Sequence, residues 1–85
     1  MEKNLITIEK LSETSGTPLK ILSSYVRKGF LSWEKQNSDG TRYYNKNEAL
    51  KRLEEIKRLE KEGFTSKEIK EFLSKYLFKF IKDLK

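Results

Sequence analysis

Lys20, Ser23, Ser24, Arg27 and Lys28 fall at spacings that share one face of a helix, opposite Leu22 and Val26. Cations and short hydroxyls on one face suit binding to a polyanion: the cations meet phosphate oxygens, and the small side chains let the helix approach base edges. Bond-making chemistry has little to work with. The chain has no cysteine and no histidine, which removes disulfides, thiolate or imidazole metal sites, and Ser-His or Cys-His nucleophiles. Carboxylates recur as Glu54-Glu55, Glu60 and Glu62, and basic residues stand one helical turn away, as for Glu48 with Arg52 and Glu54 with Arg58. Such pairs read as solvated helix faces rather than acid/base machinery. The chain is therefore expected to be no enzyme and to use no cofactor and no metal.

The cationic face needs a scaffold, and the local signals supply one. Thr7 can cap a first helix, with Ile6 and Leu11 placed as a hydrophobic staple, and Ser15-Gly16 stops it. Thr17 is then expected to cap a second helix with Pro18 at its first position, where a missing N–H costs little. Leu11 from the first helix and Leu19, Leu22 and Val26 from the second supply the apolar faces. Two short helices joined this tightly have the layout of a helix-turn-helix whose second member presents the cations.

After Gly29 the period changes. Leu31, Trp33 and Lys35 alternate with polar residues, Asn37-Ser38-Asp39-Gly40 makes a turn, and Thr41-Arg42-Tyr43-Tyr44 returns. This β-hairpin is a wing beside the helix-turn-helix, with Arg42 facing outward and Trp33 expected to cover the core. Asn45 and Glu48 open a third helix with a buried stripe of Ala49, Leu50, Leu53, Ile56 and Leu59. Gly63 ends that helix, and Thr65 and Glu68 repeat the capping box for a fourth, where Phe64 can staple onto Ile69. The fold expected is mostly α: a winged helix-turn-helix with two helix-turn-helix pairs around a β-hairpin wing, and a C-terminal amphipathic helix.

The order of these parts and several short strings resemble the N-terminal DNA-binding domain of MerR-family transcriptional regulators. The strings are Thr7-Ile8 through Leu11, Gly16, Leu22, Tyr25, Arg27, Gly29 with Leu31, Gly40, Arg42 with Tyr44, and Gly63-Phe64-Thr65 with Glu68-Ile69. The resemblance spans about Leu5 to Leu73. It implies a second helix in the major groove, with the wing and the second helix pair on flanking phosphates, and dimers that grip a pseudo-palindrome and can distort promoter DNA. Lys20 and Ser23 match places on the family's recognition helix, and Arg42 matches its wing arginine. The family usually has Arg-Tyr-Tyr where this chain has Ser23-Ser24-Tyr25, so two habitual contacts are missing and Lys20, Arg27 and Lys28 carry more of the binding. The hydroxyl of Tyr25 serves either core packing or a phosphate contact. The candidate DNA-binding set is Thr17, Pro18, Lys20, Ser23, Ser24, Tyr25, Arg27, Lys28, Lys35, Arg42 and Lys61.

The chain divides into a winged helix-turn-helix over 1–73 and a C-terminal amphipathic helix or helix extension over 74–85. Apolar residues at Ile69, Phe72, Leu73, Tyr76, Leu77, Phe80, Ile81 and Leu84 keep one stripe along a continuous helix, which from Ser66 to Leu84 is about 28 Å long at ~1.5 Å per residue. Either the stripe folds back after a break near Ser74, or it pairs with a second chain through Tyr76, Leu77, Phe80, Ile81 and Leu84. Self-association into a homodimer is the expectation. Lys75, Lys79 and Lys82 beside that stripe are also the pattern of a membrane-surface or groove-docking helix, although a membrane is not the expected partner.

Charge agrees with a nucleic-acid partner. The 85 residues carry a net +6, with 12 basic against 8 acidic side chains after residue 45 and 7 against 5 before it. With no signal peptide or spanning apolar run, a cytoplasmic location is expected. The expectation is thus a sequence-specific protein for double-stranded DNA, a MerR-like transcriptional regulator or the DNA-binding part of one, lacking an effector domain. Two alternatives stay open: an architectural factor like an excisionase, which can share this winged fold, and a protein-docking adaptor that uses the basic tail.

Overall fold

The computed structural model describes residues 4–83, with side chains described for 4–75. Its elements run β1 (Leu5–Ile6), α1 (Ile8–Ser15), α2 (Leu19–Lys28), β2 (Lys35–Gln36), β3 (Arg42–Asn45), α3 (Lys46–Lys61) and α4 (Ser66–Asp83). This is the mostly helical winged helix-turn-helix expected from the sequence. Among the described residues no helix is long and apolar enough to cross a membrane.

Helix α1 starts where Thr7 Oγ1 accepts the Lys10 N–H at 3.3 Å, and ends at Gly16, whose φ of 72° lets the chain turn left-handed. The expected cap of α2 is displaced. Pro18 is extended (φ −55°, ψ 143°) and stands at the cap itself, so the helix begins one residue later. Thr17, 3 % exposed, turns inward: its hydroxyl accepts from Lys57 Nζ at 2.8 Å, its N–H donates to Ser15 Oγ and its carbonyl accepts from Ser12 Oγ. The buried stripe of α2 is narrower than its apolar content implies. Leu22 and Tyr25 are enclosed and Val26 partly so, while Leu19 remains 42 % exposed rather than joining the core.

Glycine recurs at the other end of α2. Gly29 has φ 82°, and the Phe30 N–H reaches back to the Tyr25 carbonyl at 2.8 Å, turning Phe30 and Leu31 into the core. These two residues, not Trp33, seal the base of the hairpin, and Trp33 stays 39 % exposed. The paired part of the hairpin is short, with Lys35 opposite Tyr43 and Gln36 opposite Arg42, extended by a bond from the Glu34 N–H to the Tyr43 carbonyl. At its tip the Asp39 carboxylate accepts the Thr41 N–H at 3.0 Å, which holds that carboxyl below its usual range.

The sheet has a third strand beyond the two of the hairpin expected from the sequence. β1 pairs antiparallel with β3, Leu5 opposite Asn45 and Ile6 opposite Tyr44, giving the sheet order β1-β3-β2. Asn45 then caps α3 by accepting the Glu48 N–H at 3.0 Å. On α3 the expected Glu54–Arg58 pair gives way to bonds from Arg58 to Glu55 (2.9 Å) and Glu62 (3.0 Å). Arg52 is drawn inside, 6 % exposed, where its Nη1 donates to the Phe30 carbonyl at 3.0 Å and Nε lies 3.9 Å from Glu48. Burial lowers its pKa below that of an ordinary arginine.

Thr65 and Glu68 cap α4 reciprocally, each side chain accepting the other's N–H. Ile69 and Leu73 join Leu53, Ile56 and Leu59 of α3 in the core. The helix then runs on through Ser74 to Asp83 without the break considered above. The side chains of Tyr76, Leu77, Phe80 and Ile81, and all of Leu84, lie outside the described residues.

Candidate nucleic-acid interface

The turn at Gly16 sets α2 against α1, and the β1–β3 pairing carries the hairpin back beside them. Together they frame an open groove of about 570 Å³. Its α1 wall is Thr7, Ile8 and Glu9, its α2 wall is Ser23, Val26 and Arg27, and its hairpin wall runs Gly40, Thr41, Arg42 and Tyr44. Three candidate residues from two separate elements, Ser23, Arg27 and Arg42, therefore meet around one concavity. Two guanidiniums face one carboxylate, Glu9, so the groove suits an anionic chain. The Tyr44 hydroxyl is pushed up by burial and stays a neutral phenol.

Lys20 is exposed on the first turn of α2, and Lys28 is exposed on the last, its ammonium 5.7 Å from the Phe30 ring centroid. Ser24 is half-buried, while Pro18 stands exposed before the helix and Lys35 exposed on β2. Lys61 is exposed at the end of α3, outside the groove. Two of the eleven candidates are corrected. Thr17 is buried with its hydroxyl held by Lys57, and Tyr25 is 5 % exposed with its hydroxyl donating to Glu60 Oε1 at 2.9 Å. Burial first, and then the Glu60 carboxylate, push the Tyr25 phenol up to about 12. Both side chains orient α2 and neither faces outward, so for Tyr25 the core-packing alternative is the one realised.

Two residues outside the candidate set shape the interface. Trp33 lies under Arg42, the guanidinium carbon 3.8 Å from the ring centroid. Lys57 reaches the start of α2 from α3. A returning strand with an arginine opposite an aromatic-bearing strand hinted at the first contact; nothing local announced the second.

A family model described as MerR HTH family regulatory protein matches residues 6–76, most of the chain. The chain belongs to the MerR family. It therefore carries the DNA-binding helix-turn-helix of a family of transcription regulators. No curated protein and no solved structure matches the chain in the other two comparisons. Ser23 and Ser24 are the short side chains on the exposed side of α2, whose cations Lys20, Arg27 and Lys28 stand toward its two ends.

Proposed function

We propose that this MerR-family protein binds double-stranded DNA sequence-specifically to regulate transcription. In this reading α2 enters the major groove and the hairpin grips the adjacent backbone. The observation that carries it is the meeting of Ser23, Arg27 and Arg42 around one groove, continuous with Lys20 and Lys28 on the exposed face of α2. Arg42, Lys35 and Lys28 capture phosphates, Lys20 and Ser23 reach base edges, and Lys61 adds a remote phosphate contact. The segment 74–85 pairs two copies through the apolar stripe of α4, which places two recognition helices on one inverted repeat.

The test is selection from a random duplex library at physiological salt with heparin as competitor. An inverted repeat with half-sites about one helical turn apart supports a sequence-specific dimer. Recovery of no preferred sequence refutes specific recognition and returns weight to a docking adaptor. For about six neutralised phosphates the slope of log affinity against log salt is near −5. Lys20→Ala flattens preference between sites, whereas Arg42→Ala weakens all sequences alike and reduces the slope by roughly one. Equal effects of the two substitutions on selected and random duplexes overturn this division of roles.

A further inference from the structure

Leu19 and Ile21 are 42 % and 40 % exposed, two branched aliphatic side chains on the first turn of a helix whose core side is already filled by Leu22 and Tyr25. At 100° per residue they stand on either flank of Lys20, about 100° from it in each direction. We propose that Leu19 and Ile21 are specificity-determining residues that contact thymine methyl groups, so that the preferred duplex carries thymines where the first turn of α2 enters the major groove. This rests on the DNA-binding reading above.

The chemistry that matches an aliphatic side chain on a recognition helix is narrow. Base edges in the major groove are donors and acceptors, with the thymine C5-methyl as their apolar feature. Recognition helices lead with their N-terminal residues, which is where both side chains lie. Because a recognition helix brings its N-terminal end nearest the bases, side chains around its whole first turn, and not only the one facing the groove floor, come within reach of base edges. With Lys20 toward the groove floor, Leu19 and Ile21 then address base pairs on opposite sides of it.

Neighbouring side chains favour DNA as the occupant over an apolar protein surface. α2 contains no carboxylate, and Lys20, Arg27 and Lys28 share its exposed side. Ser23 and Ser24, one turn further on, are too short to hold the helix away from the bases. Polyanion-directed charge thus surrounds both aliphatics.

The experiment starts from a duplex recovered by selection and replaces each thymine in turn by deoxyuridine, which keeps every hydrogen-bonding group and removes only the methyl. Burying one methyl corresponds to roughly a fourfold change in affinity. Loss of that size is expected at one or two thymines per half-site. It should vanish at one of them in Leu19→Ala and at another in Ile21→Ala, with thermal melting of each variant reporting separately any packing lost on the covered part of the side chain. Retention of full affinity at every uracil, on a site that the protein still prefers over random duplex, overturns the methyl contacts while leaving DNA recognition intact. Absence of any preferred duplex overturns both readings together.

Discussion

The stack of Arg42 on Trp33 allows a quantitative prediction about the wing. A free arginine side chain carries about 2 kcal/mol of rotamer entropy, and some of it is lost whenever the guanidinium is fixed on a phosphate. Here the guanidinium carbon already sits 3.8 Å from the indole centroid. Stacking occupies the face of the guanidinium and leaves its in-plane N–H edges free for a phosphate. An exposed cation–π contact is worth about 0.5–1 kcal/mol, so Trp33→Ala should weaken DNA binding by roughly 2–5-fold. The informative comparison is a double-mutant cycle of wild type, Trp33→Ala, Arg42→Ala and the double variant, read by anisotropy of a labelled duplex at one salt concentration. If the indole acts by orienting Arg42, Trp33→Ala should cost nothing further once Arg42 is gone. An equal cost in both backgrounds would mean that Trp33 touches DNA itself or supports the hairpin. Thermal melting of the four proteins separates those two, because support of the hairpin lowers the melting temperature and DNA contact does not.

Two further predictions concern how α2 is held. Gly16 and Gly29 both have positive φ, but a Cβ at 29 would meet Lys70 Cε at 3.0 Å, whereas nothing lies within 4 Å of one at 16. Gly16→Ala and Gly29→Ala should each cost about 1–2 kcal/mol of backbone strain, with little added at 29 because the flexible end of Lys70 can swing aside; an unchanged melting temperature in either variant would refute the strain. The Tyr25 phenol, held up at about 12, binds its proton more tightly in the folded protein than in the unfolded chain, where it titrates near 10. Its contribution is complete below pH 10 and is lost as pH rises toward 12. Circular dichroism melts across that range should decline less steeply for Tyr25→Phe than for wild type, and parallel curves would contradict the assignment. Tyr44, also raised by burial, accounts for part of the remaining decline.

What could be read from the sequence follows the range of the interactions involved. The caps at Thr7, Asn45 and Thr65 bond to N–H groups three residues away, and the turn at Asn37–Gly40 closes within itself, so residue type announces each of them. β1 is two residues long and exists because β3, some 40 positions on, offers an edge; no periodicity marks so short a strand. The placement of Thr17 and Tyr25 depends in the same way on partners distant in sequence. A threonine before a proline is a good cap until its hydroxyl is engaged by Lys57, and a tyrosine on a recognition helix is a good phosphate ligand until its hydroxyl donates to the Glu60 carboxylate. Arg52 looked like one half of a surface ion pair, yet the Phe30 carbonyl left open at the end of α2 draws it inside. At the interface the cations were legible because charge stays at the surface. The exposure of Leu19 and Trp33 was not, since apolar residues are assigned to the core unless something shows that the core is already full.

The three side chains that tether α2 to α3 have a mechanical consequence for any duplex it docks on. Lys57 holds its approach at Thr17, Glu60 holds its middle at Tyr25, and Arg52 holds its exit at Phe30. A helix pinned at its start, middle and end cannot shift register or tilt to suit an imperfect groove without breaking polar bonds that are wholly or partly buried. Duplex DNA is the softer body, particularly at pyrimidine–purine steps, and bending a site by 40–90° costs of order 1–6 kcal/mol. On the proposed DNA-binding reading, misfit between helix and groove is then expected to be absorbed as strain in the nucleic acid, so that sequences that deform easily should gain affinity even at base pairs that no side chain reaches.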